Sequence, residues 1–234
     1  MTARPEVVQP ARLNRPALLC PPSRQWFTRT ARLALFLLLP AFPVVVNAAV
    51  LRVPEDFPTI VSAVAASGEH DTVLVAEGEY NDSVYVVNPY LTIASHFILD
   101  GDTSHISRTR WIREGGRALR AIGRPSDAIA VIGFTIQGGN TDLYSVNAVR
   151  FDTLQVEFAF NNLENSFGFS SSMIIIRSSV SIHNNIFSQN CVSNGAGALS
   201  VHGGNGIIRE NIFTQNSGYI LGALGLTSHL IGYP

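Results

Sequence analysis

The sequence predicts an all-β solenoid, a parallel β-helix in which short strands stack coil upon coil, and three observations predict it. The phrase IHNNIFSQN (182–190) returns as IRENIFTQN (208–216), with six of nine positions identical and Ser188 exchanged for Thr214. The segments AVRF (148–151), MIII (173–176), ALSV (198–201) and ALGL (223–226) each begin 25 residues after the last. Their second column (Val149, Ile174, Leu199, Leu224) and fourth column (Phe151, Ile176, Val201, Leu226) are wholly apolar, while the column between is mixed. Apolar, variable, apolar is the period of two that places alternate side chains on a core. A fixed period of this length marks a repeat architecture.

The chain opens on a basic leader. Residues 1–48 carry six Arg against one acid, Glu6, for a net charge of +5; residues 49–234 carry ten Arg against sixteen acids, for −6. Arg24, Arg29 and Arg32 precede an apolar run from Leu33 to Val46, and a small-residue site follows at Ala48. That order describes a secretory signal peptide cleaved near Ala48. The run is short for a membrane span and is interrupted by Pro40 and Pro43, so no span remains once the leader is removed. The expected organisation is a leader over 1–48 and one exported domain over 49–234, secreted or held at the cell surface. The acidic balance of that domain argues against nucleic acid as a partner. Cys20 departs with the leader, and Cys191, left without a partner, reads as a small buried apolar residue.

The exported part begins with a cap over about 50–95. Pro58 suits the first turn of a helix over 59–67, Gly68 its stop, and Ile60, Val61, Val64 and Ala65 form its apolar stripe. Strands follow at 72–76, 84–87 and 91–94. The end of a solenoid exposes core and strand edges, and the helix is placed to close it. Trp111 is expected to be partly buried. The coils, over about 96–234, are too short for two helices each and show no 3.6-residue spacing. Asn185 and Asn211 then stack at a turn as an amide ladder, each donating to one neighbour and accepting from the other. Phe187 and Phe213 stack beside them.

The run VPEDFPTIVSAVAASGEHDTVLVAEGEY, the later LTIAS, GFTIQGG and the Asn-rich coils resemble secreted bacterial right-handed parallel β-helix repeat proteins of the pectin-lyase-like superfamily, over roughly residues 51–228. The resemblance implies a single-stranded right-handed parallel β-helix with a short N-terminal capping helix. It does not fix an activity, because that superfamily holds lyases, hydrolases, esterases and adhesins. Two departures stand out. Arg113 occupies the place where relatives carry an Asp, and the chain stops at HLIGYP without the further Asn coil that the phrase before it calls for. The expectation is a C-terminal end that is truncated.

Lyases of that superfamily use aspartates that bind Ca²⁺. The densest acidic stretch here, Asp100 and Asp102 in LDGDTSH, reads as a turn, and no metal or cofactor is assigned. Inverting hydrolases need two carboxylates roughly 6.5–9.5 Å apart, but Asp152, Glu157, Glu164 and Glu210 share no column. Gly123-Arg124-Pro125 reads as a turn. No catalytic residue is assigned. The candidate ligand-binding residues are Asp152, Arg177 and His202, 25 residues apart and expected to point outward from three consecutive coils about 5 Å apart. Arg150 is expected on the opposite face. The reading is an exported β-helix scaffold that binds a polysaccharide or another cell-surface component. The alternative is a degenerate or truncated polysaccharide lyase or glycoside hydrolase acting on acidic polysaccharide.

Overall fold

A computed structural model describes residues 48–139 and 147–227 of the chain. The leader with its cleavage site, Cys20, Asp142, Tyr144, Tyr233 and the closing HLIGYP largely or wholly lie outside the described residues. Among the described residues no helix is long and apolar enough to cross a membrane.

The elements run in order β1 (Val50–Val53), α1 (Ile60–Ala66), β2 (Thr72–Val75), β3 (Gly78–Tyr80), β4 (Val84–Val87), β5 (Tyr90–Ser95), α2 (Phe97–Asp100) and α3 (Ser104–Arg108). Then come β6 (Thr109–Arg113), β7 (Leu119–Ile122), β8 (Ala128–Ile132), β9 (Thr135–Gly138), β10 (Val149–Asp152), β11 (Gln155–Ala159), β12 (Asn162–Glu164) and β13 (Phe167–Gly168). The last are β14 (Met173–His183), β15 (Ile186–Ser188), β16 (Cys191–Val192), β17 (Leu199–Arg209), β18 (Ile212–Thr214), β19 (Ser217–Gly218) and β20 (Leu224–Thr227). Each complete coil, from β4 to β18, contributes one strand to each of three faces, and the paired strands are parallel. Face I stacks β4, β7, β10, the first half of β14, the first half of β17, and β20. Face II stacks β1, β2, β5, β8, β11 and the second halves of β14 and β17. Face III stacks β3, β6, β9, β12, β15 and β18. A short column of β13, β16 and β19 completes the later coils. The architecture is therefore the predicted parallel β-solenoid.

The interior is three apolar stacks. Val84, Leu119, Val149, Met173, Leu199 and Leu224 pile up under face I. Val73, Ile93, Val131, Phe158 and Ile182 do so under face II, and Trp111, Ile136, Leu163, Phe187 and Phe213 under face III. Here the sequence reading needs correction. Met173, not Ile174, stands between Val149 and Leu199, and Ile175, not Ile176, stands between Phe151 and Val201. The coil lengths alternate around the mean, 24 residues from Val149 to Met173 and 26 from Met173 to Leu199. Trp111 is fully rather than partly buried, its indole N–H donating to the Asp82 carbonyl at 3.0 Å. Cys191 is exposed rather than buried, because in β16 it is Val192 that turns inward.

The corners explain the repeated phrase. Asn161, Asn185 and Asn211 form the ladder between faces II and III. Asn161 Nδ2 donates to Asn185 Oδ1 (3.3 Å) and Asn185 Nδ2 to Asn211 Oδ1 (2.9 Å), while each of the first two accepts a backbone N–H at its own Oδ1. The left-handed residue is the one before each ladder Asn, namely Phe160, Asn184 and Glu210, and Gly133 takes the same conformation before Phe134, the equivalent place one coil earlier. A second ladder joins Asn190 and Asn216 at the next corner. Phe187 and Phe213 stack at 4.8 Å with rings 5° from parallel.

Helix α1 closes the first coil. Thr59 caps it with Ser62 in a reciprocal capping box, and Ile60 and Ala63 are its buried residues. Pro58 thus precedes the cap instead of entering the first turn, and Val61 is exposed rather than part of the apolar stripe.

Candidate functional site

The outer surface of face I is set by the side chains that alternate with the core stack. Tyr85, Arg120 and Arg150 occupy one outward row on three successive coils, followed by Ile174 and Ser200. Two residues further along the strands, Val87, Ile122, Asp152, Ile176, His202 and Thr227 form the next row. Asp152 and His202 therefore share a row, two coils apart, with Ile176 between them. Arg177 does not join them. It lies at the corner between faces I and II with φ 48°, against Gly203 of the next coil. The 24- and 26-residue intervals displace it by one position from the place that a uniform 25 assigned it.

Asp152 finds its partner on its own strand. Arg150 Nε and Nη2 donate to its two carboxylate oxygens at 2.8 and 2.9 Å, a bidentate pair. Residues two apart on a strand share a face, so Arg150 belongs beside Asp152 and not opposite it. Arg120 Nε lies 3.6 Å from Asp152 Oδ2, beyond hydrogen-bond reach, and its guanidinium sits 5.6 Å from the Tyr85 ring centroid. Arg117, from the turn before β7, donates to the carbonyl and side-chain oxygens of Asn147, both at 3.3 Å. Burial opposes ionisation of Asp152, but its bonds to Arg150 and the nearby charge of Arg120 outweigh that and hold its carboxyl below the ordinary range. Burial and the like charges of Arg150 and Arg120 push the Arg117 guanidinium below its ordinary value. This arginine group escaped the sequence reading. Its signal was the phrase Ala118-Leu119-Arg120, repeated as Ala148-Val149-Arg150 at an interval that the 25-residue period hides.

Face II carries a shallow groove of about 430 Å³. Its floor is a corridor of short side chains, Thr92, Ala130 and Ser181, flanked by Ala128 and Ser179, with Glu157 set among them. His70 and Tyr90, ring centroids 4.5 Å apart and edge-on, mark one end.

A third cluster lies on the α2–α3 segment. His105 Nδ1 is 2.7 Å from Glu77 Oε1 and its Nε2 is 3.2 Å from Asp100 Oδ2, while Arg108 Nη2 reaches the same Glu77 oxygen at 2.9 Å. Asp102 accepts from the backbone N–H and hydroxyl of Ser104, and Asp100 from the Asp102 N–H, so both acids serve the turn read from the sequence. Arg124 and Asp127 likewise close a turn at Gly123-Arg124-Pro125. Among the described residues, Asp152, Glu157, Glu164 and Glu210 do not stack on one another.

A family model described as "Protein of unknown function (DUF1565)" matches residues 53–228. No curated protein and no solved structure matches the chain.

Proposed function

The chain belongs to the family described as protein of unknown function (DUF1565), a description that carries no activity, and we propose from its geometry an exported β-helix scaffold that holds a glycan strand along face II. The groove carries this reading. A polymer lying across the coils meets the same arrangement at each step: short side chains that admit a sugar ring, and hydroxyl, amide and carboxylate groups of Thr92, Ser179, Ser181, Gln155 and Glu157 that suit sugar hydroxyls. Tyr90 offers an aromatic edge at one end. Arg177 at the adjoining corner, with Asp152 and His202 on face I, are the flanking polar contacts of this reading. Export is part of the proposal, supported by the Arg-flanked apolar run of the leader and by the extracellular setting of such a ligand.

The test is binding of the purified full-length chain to a panel of neutral and acidic polysaccharides by affinity electrophoresis, with Ala130→Trp and Ser181→Trp as groove-filling variants. The expected result is retardation by at least one polymer, lost in both variants at an unchanged unfolding midpoint. Retardation by none, or retention in both filled variants, overturns it. Release of an ultraviolet-absorbing unsaturated product would replace the scaffold by a lyase.

A further inference from the structure

We infer that Asn194 is a site of self-modification, where the chain converts an asparagine to aspartate and isoaspartate with water as the only co-reactant. The reaction needs an exposed Asn side chain, a following amide nitrogen free to turn toward it, and a small residue bearing that nitrogen. Gly or Ser follows Asn at four positions, 165, 194, 205 and 216. Three of them are held. The Ser166 N–H donates to Asn190 Oδ1 at 3.1 Å, and the Ser217 N–H to the Asn190 carbonyl at 2.7 Å. Asn205 and Gly206 lie in β17, paired with Ser179 and Val180 of the preceding coil. In a strand the next N–H lies in the plane of the sheet while the side chain stands out of it. Asn194 differs. It is exposed in a bend outside any strand, and neither its side chain nor the Gly195 N–H makes a hydrogen bond among the described residues. Gly195 has φ 97°, which favours glycine there, and glycine leaves its own nitrogen unshielded. Neither residue lines the face II groove, so the site is independent of the glycan reading.

The Gly195 nitrogen attacks Asn194 Cγ and loses its proton to hydroxide. The Cγ–Nδ2 bond breaks, Nδ2 takes a proton from water and leaves as ammonia, and a succinimide ring remains. Water adds at one of the two ring carbonyls, and that carbon's bond to nitrogen breaks. Addition at Cγ restores the main chain with Asp; addition at the α-carbonyl leaves isoaspartate, whose main chain runs through Cβ and Cγ and is one carbon longer. One water is consumed and one ammonia released. The added carbon falls where coils are tied. The Ser193 N–H donates to the Gly168 carbonyl of the preceding coil at 3.0 Å, and the Gly195 carbonyl accepts the Ile220 and Leu221 N–H groups of the following one at 3.1 and 3.4 Å. Isoaspartate shifts that carbonyl from its donors and loosens the turn between β19 and β20.

The experiment holds the full-length chain in mildly alkaline buffer, native and in urea, and follows amide-to-acid conversion at each Asn by proteolysis and mass spectrometry. Electron-transfer fragmentation separates isoaspartate from Asp. In the native chain Asn194 is expected to convert about tenfold or more faster than Asn165, Asn205 and Asn216, whose reaction waits on local opening. In urea Asn205 is expected to reach the rate of Asn194, since both are followed by Gly. Hydrogen exchange at Ile220 and Leu221 is expected to quicken in the converted chain but not in Asn194→Asp, which adds the charge without the carbon. No native conversion at Asn194, equal native rates at Asn194 and Asn205, or conversion without isoaspartate overturns the site. Exchange that is unchanged, or quickened equally in Asn194→Asp, overturns the loosening.

Discussion

Replacing Asn185 by Ala removes the middle rung of the ladder that turns each coil from face II to face III. The side chain is 1% exposed and makes five hydrogen bonds. Its Oδ1 accepts the backbone N–H of Asn161, itself fully buried; without it that donor has no partner, at a cost of about 1–3 kcal/mol. The Asn161 amide keeps its bond to the Val131 carbonyl, and Asn211 Oδ1 keeps the Asn185 backbone N–H, so these losses are partial. The carbonyls of Phe158 and His183 lose a donor, which adds about 1 kcal/mol. The total is about 2–4 kcal/mol against a whole-domain stability of about 5–15 kcal/mol. Gln189 supplies the control, because it bonds Gln215 at 3.0 Å across the same two coils but on the exposed surface. Gln189→Ala should cost no more than about 0.5 kcal/mol. Urea unfolding followed by far-ultraviolet circular dichroism measures both. With an m-value of about 2 kcal/mol/M the Asn185→Ala midpoint falls by about 1–2 M. Equal midpoints for the two variants would refute the argument that the interior ladder, and not stacking of like amides as such, secures the corner.

Four further outcomes are expected. Ile175→Ala lowers stability by about 2–5 kcal/mol, whereas Ile176→Ala, on the outer row, costs less than about 1.5 kcal/mol; urea midpoints distinguish them. Gly204→Ala prevents folding or lowers the midpoint severely, since φ is 93° and the new Cβ meets the Ser178 backbone, while Gly101→Ala, at φ 75° in open space, costs only about 1–2 kcal/mol. His105 can donate from both ring nitrogens only as the imidazolium, and its bonds to Asp100 and Glu77 raise its pKa against an opposing desolvation. A raised folded pKa means stabilisation that is complete below the ordinary His value and lost as pH rises through the higher folded one. Hydrogen exchange of residues 97–108 should therefore quicken across that window beyond its intrinsic pH dependence, and His105→Gln should abolish the excess. Cys191, being exposed, reacts with a thiol reagent in the native state without a denaturant; protection until unfolding would contradict its placement.

The fold was legible because solenoid stacking writes the same demand into every coil. Asn185 with Asn211, Phe187 with Phe213, and the apolar columns all follow from equivalent residues lying above one another. The register was not legible in one coil. Met173, Ile174, Ile175 and Ile176 are four apolar residues in succession, so alternation cannot tell inward from outward, and a one-residue slip reverses every side chain. A uniform period of 25 then selected the wrong phase and carried Arg177 into a row that Ile176 occupies. The arginine group on face I was hidden for a related reason. Val84, Leu119 and Val149 stack directly, yet 35 and 30 residues separate them, because the α2–α3 segment and the connection before β10 lengthen those coils. Equivalence in space survives there, but periodicity in sequence does not.

The central claim is that residues of face I climb the solenoid by one strand spacing per coil in the stated register. Spin labels at Val87, His202 and Thr227, in a background with Cys20→Ser and Cys191→Ser, measure it by pulsed electron–electron distance spectroscopy. Four coil steps separate Val87 from His202 and five separate it from Thr227. At about 4.8 Å per step the distances are about 19 and about 24 Å, differing by one spacing. Distances that do not grow by that increment, or that exceed these by tens of ångströms, would contradict the stacked architecture itself.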